Sequence, residues 1–588
     1  MYLKLKKYLS IYRLNAKYFS TKINDPNKPS YTHCETQNLS LIGKTIVECL
    51  NDRVSQKPNE VAYKFCLQRK NFSFLELKQR ADEIAQNLLA MGFRKGDRLS
   101  IMLPNMPEFM LMTLACASIG VIVALMNPAY QSMEVEYMLK KTGSKGLMIM
   151  DNFKTLKHYG LLTKICPELV TSKCGELNSP KLPDLKHIIL ANLDNKSSLD
   201  AYKNIWQFDR DFEKFSGPKT ELPQIDIDDI FSMIFTSGTT GLPKVAPITN
   251  HTILNSSLLE YHYTGCPESN RVVCIPIPLF HVFGLAIGAM SSIVNGNQIV
   301  FPNILPDTVS TMKAIQEEKC TALKGAPVIF HDIINHPERE KFDLSSLESM
   351  LIGASVVPKD LLLKIKKDLK LKHVIVGYGM TETGSVGSVT TADDITKSEK
   401  FAYETIGKGF PHVEVKIIDP ATNKTVSRNT DGELCLRGYN VMTEYWDDAA
   451  KTAESIDKNG WFHTGDICCM DEHGYLYFKS RAKEMIIRGG INIYPAEVER
   501  FIRTNENVLD CYVVGVADKR VGEELCVWIK LKPGAELSES QFKEFCKDKI
   551  AFFKIPRYVK FVDSFPINAT GKVQKFKMVE QMKKDLNL

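Results

Sequence analysis

Stretches with helical periodicity alternate with short apolar runs through most of the chain, and this alternation limits the possible folds more than any other feature. Residues 74–91 place Leu77, Ala81, Ile84, Ala85 and Leu88 on one helical face. The next apolar run, Arg98 to Leu103, reads as a strand and stops at Pro104-Asn105. His373-Val374-Ile375-Val376 likewise runs into a glycine turn. Such alternation predicts an α/β protein with largely parallel sheets. A chain of 588 residues is too long for one hydrophobic core, so at least two domains are expected.

A change of domain is expected after Arg481, giving a large domain over residues 40–481 and a small one over 482–588. The small one shows its own alternation: Met485-Ile486-Ile487, a helix from Pro495 to Arg503, strand-like Cys511 to Val514 and Leu525 to Ile529, and a helix near Gln541. Two or three strands and two helices suffice for a separate α+β domain. One apolar stretch, residues 109–126 (FMLMTLACASIGVIVALM), is uncharged and long enough to raise the question of a membrane span. Gly120 divides it, and the second half is β-branched and ends at Asn127-Pro128. A buried helix followed by a core strand is the expected outcome, with no transmembrane segment.

The formal net charge is +6, but it is concentrated in the first 22 residues, which carry Lys4, Lys6, Lys7, Arg13, Lys17 and Lys22 and no acid. Removing those six from the 75 basic residues leaves a body balanced against its 69 acidic ones. No nucleic-acid footprint is present in that body. In the leader, Leu5, Tyr8, Leu9, Tyr12, Ala16 and Phe19 share a helical face. An acid-free basic amphipathic helix reads as a mitochondrial transit peptide, 1–22, and so as delivery to the matrix; the alternative is a basic surface tail. The 15 cysteines are scattered and form no C-x-x-C pair, which suits buried thiols rather than disulfides or metal ligands.

Four stretches carry polar chemistry. Thr236-Ser237-Gly238-Thr239-Thr240-Gly241-Leu242-Pro243-Lys244 follows the apolar run Ile230 to Phe235. Its hydroxyls, tight glycines and closing lysine suit phosphate oxygens, although such a stretch also serves as a plain turn. It is not the Walker pattern, which needs Gly-Lys-Ser/Thr opening a helix. Tyr378-Gly379-Met380-Thr381-Glu382-Thr383 sets an aromatic ring, a hydroxyl and a carboxylate on one loop, where Glu382 can hold magnesium. Trp461 to Asp466 ends in a carboxylate suited to two vicinal hydroxyls, with Arg481 fifteen residues on. Pro566 to Lys572 puts a lysine on a glycine turn. Each alone reads better as a solvated charge or a plain turn.

Together, in this order, they resemble the adenylate-forming superfamily of acyl-CoA synthetases, luciferases and peptide-synthetase adenylation domains. The resemblance runs from about Thr45 to Lys577 and includes Pro278 to Gly284, Gly353-Ala354-Ser355, Gly432-Glu433-Leu434 and Ser480 to Glu484. Within the superfamily the chain is most similar to mitochondrial medium-chain acyl-CoA ligases. The resemblance implies a large N-terminal adenylate-forming domain with layered α/β sheets and a small mobile C-terminal domain. It implies ATP, CoA as co-substrate and Mg2+, and a medium-chain fatty acid as the acid. Thr236 through Lys244 would hold the β- and γ-phosphates. Gly353, Ala354, Ser355 and Tyr378 would frame the adenine, with Thr381 in the same nucleotide site. Asp466 and Arg481 would hold the ribose, and Glu382 the metal. Thr236, Glu382 and Lys572 would be catalytic, with Lys572 reaching the nucleotide from the small domain. Lys483 would be the hinge, and Gly490 would lie beside the pantetheine path; Phe280, Val282, Phe283 and Gly377 to Gly384 are candidates for the acyl wall, the alternative being plain core, and His281 is a candidate gate. The chain departs from the family at Val245-Ala246-Pro247, Asn250, Ser355 and Met380. Alternative readings are an adenylate-former for another acid or a non-CoA acceptor, and a silent nucleotide-binding descendant.

Overall fold

The computed structural model describes residues 28–33, 39–192, 202–236, 243–264, 271–355, 357–488, 491–518, 521–547, 549–550, 554–567 and 572–586. The proposed leader, Ser237 to Leu242 of the phosphate loop, Gly490 and residues 568–571 lie outside them. The architecture is mixed α/β, as the alternation predicts.

A seven-stranded sheet runs in the order Trp206–Gln207, His187–Ala191, Gly146–Met150, Arg98–Met102, Ile122–Leu125, Ile230–Thr236, Lys244–Thr249. Its pairings are parallel except the last, which is antiparallel. A nine-stranded sheet has a parallel centre from Val61–Phe65 to His373–Tyr378 and antiparallel strands at both edges. Helices cover both sheets because alternate residues of a strand point to opposite faces. Leu99 and Ile101 enter the central core, whereas Met102, next in sequence, packs with Leu139, Leu162 and Ile165 on the other side. The central core also takes Val413, Val415, Leu434 and Leu436 from an antiparallel five-stranded sheet. That sheet runs Tyr31–His33, Val413–Ile418, Asp431–Gly438, Phe462–Met470, Leu476–Arg481.

The amphipathic stretch near residue 74 forms the helix Phe74–Ala90. Ser73 and Glu76 close its first turn reciprocally, satisfying two backbone donors that no preceding turn can pair. Its stripe of Leu77, Ala81, Ile84, Ala85 and Leu88 is buried to 1% exposure or less, and full burial of one such leucine contributes about 1.5–3 kcal/mol. The apolar stretch resolves into the buried helix Pro107–Ile119 and the core strand Ile122–Leu125. Gly120 separates them at φ +67, a left-handed conformation in which an added Cβ would stand 2.7 Å from Lys95. Among the described residues no helix is long and apolar enough to cross a membrane.

The small C-terminal domain is built on a further sheet, Ile491–Ile493, Ile486–Arg488, Gly522–Leu531, Val508–Asp518, with Tyr558–Phe561 parallel to Gly522–Leu531. Alternation along Val508–Asp518 sends Cys511 and Val513 toward the helices Pro495–Ile502 and Glu539–Cys546. Val514 and Val516 meet Met578 and Met582 of the helix Lys575–Asp585. The expected two or three strands and two helices become, among the described residues, five strands and three helices. The described cysteines are all free, and most are buried.

Candidate active site

The strand Ile230–Thr236 pairs antiparallel with Lys244–Thr249, with Thr236 and Lys244 as the closing pair. The Thr236 hydroxyl is buried and has no hydrogen-bond partner among the described residues. Lys244 Nζ donates to the Tyr445 hydroxyl at 2.7 Å and lies 3.9 Å from the centre of that ring. The departures from the family at 245–247 are absorbed by the sheet. Val245 packs with Ile122, Ala124 and Met233, and Pro247 lies on an edge strand, where a missing N–H does least harm. Asn250 opens the next helix and donates to the Asp229 carbonyl at 3.2 Å.

At the carboxyl ends of the central parallel strands, where ligands of open α/β sheets bind, stand Gly353 and the 378–384 loop. A Cβ on Gly353 would come 2.6 Å from the Gly377 carbonyl, and one on Gly379 would come 1.9 Å from that of Ser385, so both positions require glycine. Ala354 adopts φ +72 and, with Ser355, is exposed beside this edge. Thr381–Thr383 form a single 3-10 turn that buries Glu382, while Thr381 stays half-buried. The Tyr445 hydroxyl donates to Glu382 Oε1 at 2.8 Å. Tyr445 thus joins the loop lysine to the carboxylate, and burial together with Glu382 pushes its phenol well up.

The antiparallel sheet supplies the third group. Asp466 and Arg481 face each other across two strands, with Arg481 Nε 3.1 Å from Asp466 Oδ1. Tyr378 donates to Asp466 Oδ2 at 2.6 Å, so its hydroxyl serves the carboxylate. Oδ1 is buried and receives no aligned hydrogen bond, Arg481 included. Burial raises the Asp466 carboxyl, and Arg481, the Tyr378 hydroxyl and Lys572 oppose it. Arg481 is held above its ordinary value, chiefly by Asp466. A bulge opposite Leu434 lets the chain turn through Gly465 at φ +69. Glu433 fastens that turn: Oε1 accepts from Gly465 N at 3.0 Å, and Oε2 from His463 Nδ1 at 3.1 Å.

Lys572 reaches this place from the small domain. It keeps contact with solvent, yet its ammonium is lowered by desolvation and by Arg481 and raised by Glu484 and Asp466. The same charge bears on His281, whose imidazole burial and Lys572 bring down to about 4. Beyond His281, residues Phe283–Ala289 form a π-helix, a wide turn that often marks functional sites. Phe280 and Val282 are packed into the central core and Phe283 lies against it. The side chain of Lys483 lies outside the described ones.

Thr236, Glu382, Tyr378, Asp466, Arg481, Lys244 and Lys572 are therefore brought into one connected neighbourhood. Two buried polar atoms in it, Thr236 Oγ1 and Asp466 Oδ1, make no hydrogen bond among the described residues. A hydroxyl donor and a carboxylate acceptor fit a phosphate oxygen and a ribose hydroxyl, so the donor set suits a nucleotide. Sequence reasoning missed Tyr445, which carries no local signal. Glu433 and His463 were quoted within motifs, but their part in holding the Gly465 turn depends on register across two strands.

The chain matches the AMP-binding enzyme family over residues 50–446 and the AMP-binding enzyme C-terminal domain over residues 497–572. It is 39% identical to a protein of Bos taurus, the mitochondrial medium-chain acyl-CoA ligase ACSF2, over 94% of this chain and 89% of that one. The Danio rerio protein of the same name is 37% identical over 96% of this chain and 93% of its own length. Among solved structures, the anthranilate CoA ligase AuaEII in complex with anthranoyl-AMP superposes with a TM-score of 0.81 at 23% identity, covering 94% of this chain and 100% of that one. ATP-bound MatB from Rhodopseudomonas palustris gives 0.79 at 24% identity, covering 93% and 100%. The structural likenesses establish the fold, and the identity carried across nearly the whole length, in both domains, shows that this chain belongs to the AMP-binding enzyme family, as an ATP-dependent, AMP-forming ligase.

Proposed function

We propose that the protein is a mitochondrial fatty acid–CoA ligase for medium-chain acids, working in the matrix after loss of the 1–22 leader. The reading is supported by the electrostatic coupling of Lys572, from the small domain, to Asp466, Arg481 and His281 of the large one. A carboxylate is a poor acyl donor because its leaving group would be oxide. In the first step its oxygen attacks the α-phosphorus of ATP and the bond to pyrophosphate breaks. Two anions meet there, so cations and donors must gather where charge builds. In the second step the CoA thiolate attacks the acyl carbon and AMP departs.

In this reading Thr236 and the 237–244 loop hold the β- and γ-phosphates. Gly353, Ala354, Ser355, Tyr378 and Thr381 frame the adenine, and Asp466 with Arg481 takes the ribose hydroxyls. Glu382 would hold Mg2+, which when bound neutralises phosphate charge. Lys572 bridges carboxylate and α-phosphate, so closure of residues 482–588 about Lys483 is a condition of adenylation. The neutral His281 stands at the mouth of the acyl site, and the stretch 280–283 offers no carboxylate to pair with an amino-acid ammonium.

The test is CoA-dependent AMP formation across short, medium, long and aromatic acids. Medium-chain acids should give the highest kcat/KM. A preference for aromatic acids would overturn the substrate, and equal AMP release without CoA would overturn the acceptor. Lys572→Ala should lower carboxylate-dependent pyrophosphate release about 100- to 1000-fold while ATP still binds. Unchanged turnover would remove that lysine from the mechanism.

A further inference from the structure

The pair of strands that carries Asp466 holds a second constellation on the far side of the Gly465 turn. Glu433 and Cys435 are two residues apart, hence on one face, and Cys435 pairs directly with His463 on the neighbouring strand. His463 Nδ1 lies 3.1 Å from Glu433 Oε2 and 3.8 Å from Cys435 Sγ, and one donor atom from each of the three residues falls within 4.8 Å of the others. With Zn–S near 2.3 Å and Zn–N and Zn–O near 2.0–2.1 Å, a tetrahedral ion needs N···S of about 3.6 Å and N···O of about 3.4 Å. Both observed distances are within a few tenths of an ångström of that requirement.

We infer that Glu433, Cys435 and His463 form a binding site for a thiophilic divalent cation, Zn2+ foremost, with water as the fourth ligand. Thiolate, imidazole and carboxylate are the zinc donor set, and three protein ligands leave one position open. The outer contacts suit it as well. Asp457 Oδ2 lies 4.0 Å from His463 Nε2, on the side of the ring away from the other two donors. Its Oδ1 is held by the backbone N–H groups of Asn459 and Trp461, which fixes the carboxylate. An approach of about 1 Å would bring this carboxylate into hydrogen-bond reach of Nε2–H, the arrangement by which a carboxylate orients a metal-bound histidine. Glu433 needs only Oε2 for the ion, because Oε1 is engaged with Gly465 N. Lys416, a cation in the same neighbourhood, is held over the Trp461 ring, 4.3 Å from its centre.

Binding balances simply. The Cys435 S–H bond breaks and its proton goes to solvent. The imidazole binds as the neutral ring: its Nδ1 proton is given up, to solvent from an imidazolium or to Nε2 from a neutral ring, and Nε2–H faces Asp457. The Nδ1–H···Oε2 hydrogen bond is exchanged for two metal–ligand bonds. The ion then cross-links strands Asp431–Gly438 and Phe462–Met470 beneath the turn that presents Asp466.

The experiment is titration of the purified full chain with Co2+ as a spectroscopic stand-in, followed by Zn2+. Co2+ should produce a thiolate charge-transfer band saturating at one equivalent, displaced by Zn2+. Cys435→Ser should abolish the band, and His463→Gln should weaken binding at least as much as the outer-shell variant. Asp457→Asn, which preserves the backbone contacts of Oδ1, should cost about tenfold in Zn2+ affinity. Hydrogen exchange of the zinc-loaded chain should slow in residues 431–438 and 462–470. A band that survives in Cys435→Ser, protection confined to another region, or no band in a wild-type chain that is folded by circular dichroism would overturn the assignment.

Discussion

Two carboxylate–cation pairs in the large domain both have a buried carboxylate, and they differ in how much of their hydrogen-bonding capacity is used. Glu260 and Lys324 meet at 2.5 Å with side-chain exposures of 4% and 3%, and Lys324 also donates to the Ile287 carbonyl at 3.1 Å. Asp466 and Arg481 meet at 3.1 Å, but Arg481 is 38% exposed, and Asp466 keeps one oxygen buried without an aligned donor. The first pair is enclosed, and through the Ile287 carbonyl it braces the π-helix against the nine-stranded sheet. The second retains an acceptor site and an open cation, which is what a ligand with vicinal hydroxyls needs. Surplus hydrogen-bonding capacity, rather than burial or charge alone, is what the proposed nucleotide site has and the enclosed pair lacks.

The comparison breaks most easily at the closed pair. Lys324→Met strands the Glu260 carboxylate in the core and should cost about 3–5 kcal/mol of stability, measured by denaturant unfolding. The surviving folded enzyme should keep near-native KM for ATP. The double change Lys324→Met with Glu260→Leu should recover most of that loss. If Lys324→Met instead altered nucleotide binding with stability intact, the division between the pairs would fail.

At the open pair the opposite pattern is expected. Asp466→Asn keeps the shape and the Tyr378 contact but weakens acceptance, so kcat/KM for ATP should fall about 100-fold with little change in unfolding. Tyr445→Phe sharpens the same contrast by one hydroxyl. It leaves Lys244 over the ring but unlinks it from Glu382, and should raise KM for ATP about tenfold.

The smallest effect concerns His281. Its folded pKa, about 4, lies below the ordinary histidine value, so the unfolded chain binds more protons between the two. The stability it contributes is fully present above about 6.5 and declines as pH falls toward its folded value. His281→Gln should flatten that part of the stability–pH curve. The activity profile between neutral and mildly alkaline pH should show no step from this residue, and an ionisation that vanished in the variant would contradict its neutral state.

Much of the fold was legible because its signals are local. The stripe from Leu77 to Leu88 predicts a helix whatever lies around it, and Ser73 with Glu76 marks its start. Gly120 divided the apolar stretch correctly because a left-handed turn is a property of one residue. The helix Lys575–Asp585 escaped because its buried face rests on Met578 and Met582 amid lysines, a pattern too sparse to stand out. The short strands Ile491–Ile493 and Tyr558–Phe561 become strands by pairing with neighbours already in place.

The site divides along the same line. Sequence alone determined which residue types are present and in what order: hydroxyls and a lysine after a strand, a carboxylate after a glycine, an amine near the far end. Only the tertiary structure decided their partners. Tyr445 bridges Lys244 and Glu382 across separations of 201 and 63 residues. Asp466 meets Tyr378 across 88. Periodicity is imposed by the backbone over a few residues, whereas strand register and the closure of distant loops depend on the packing of the whole core.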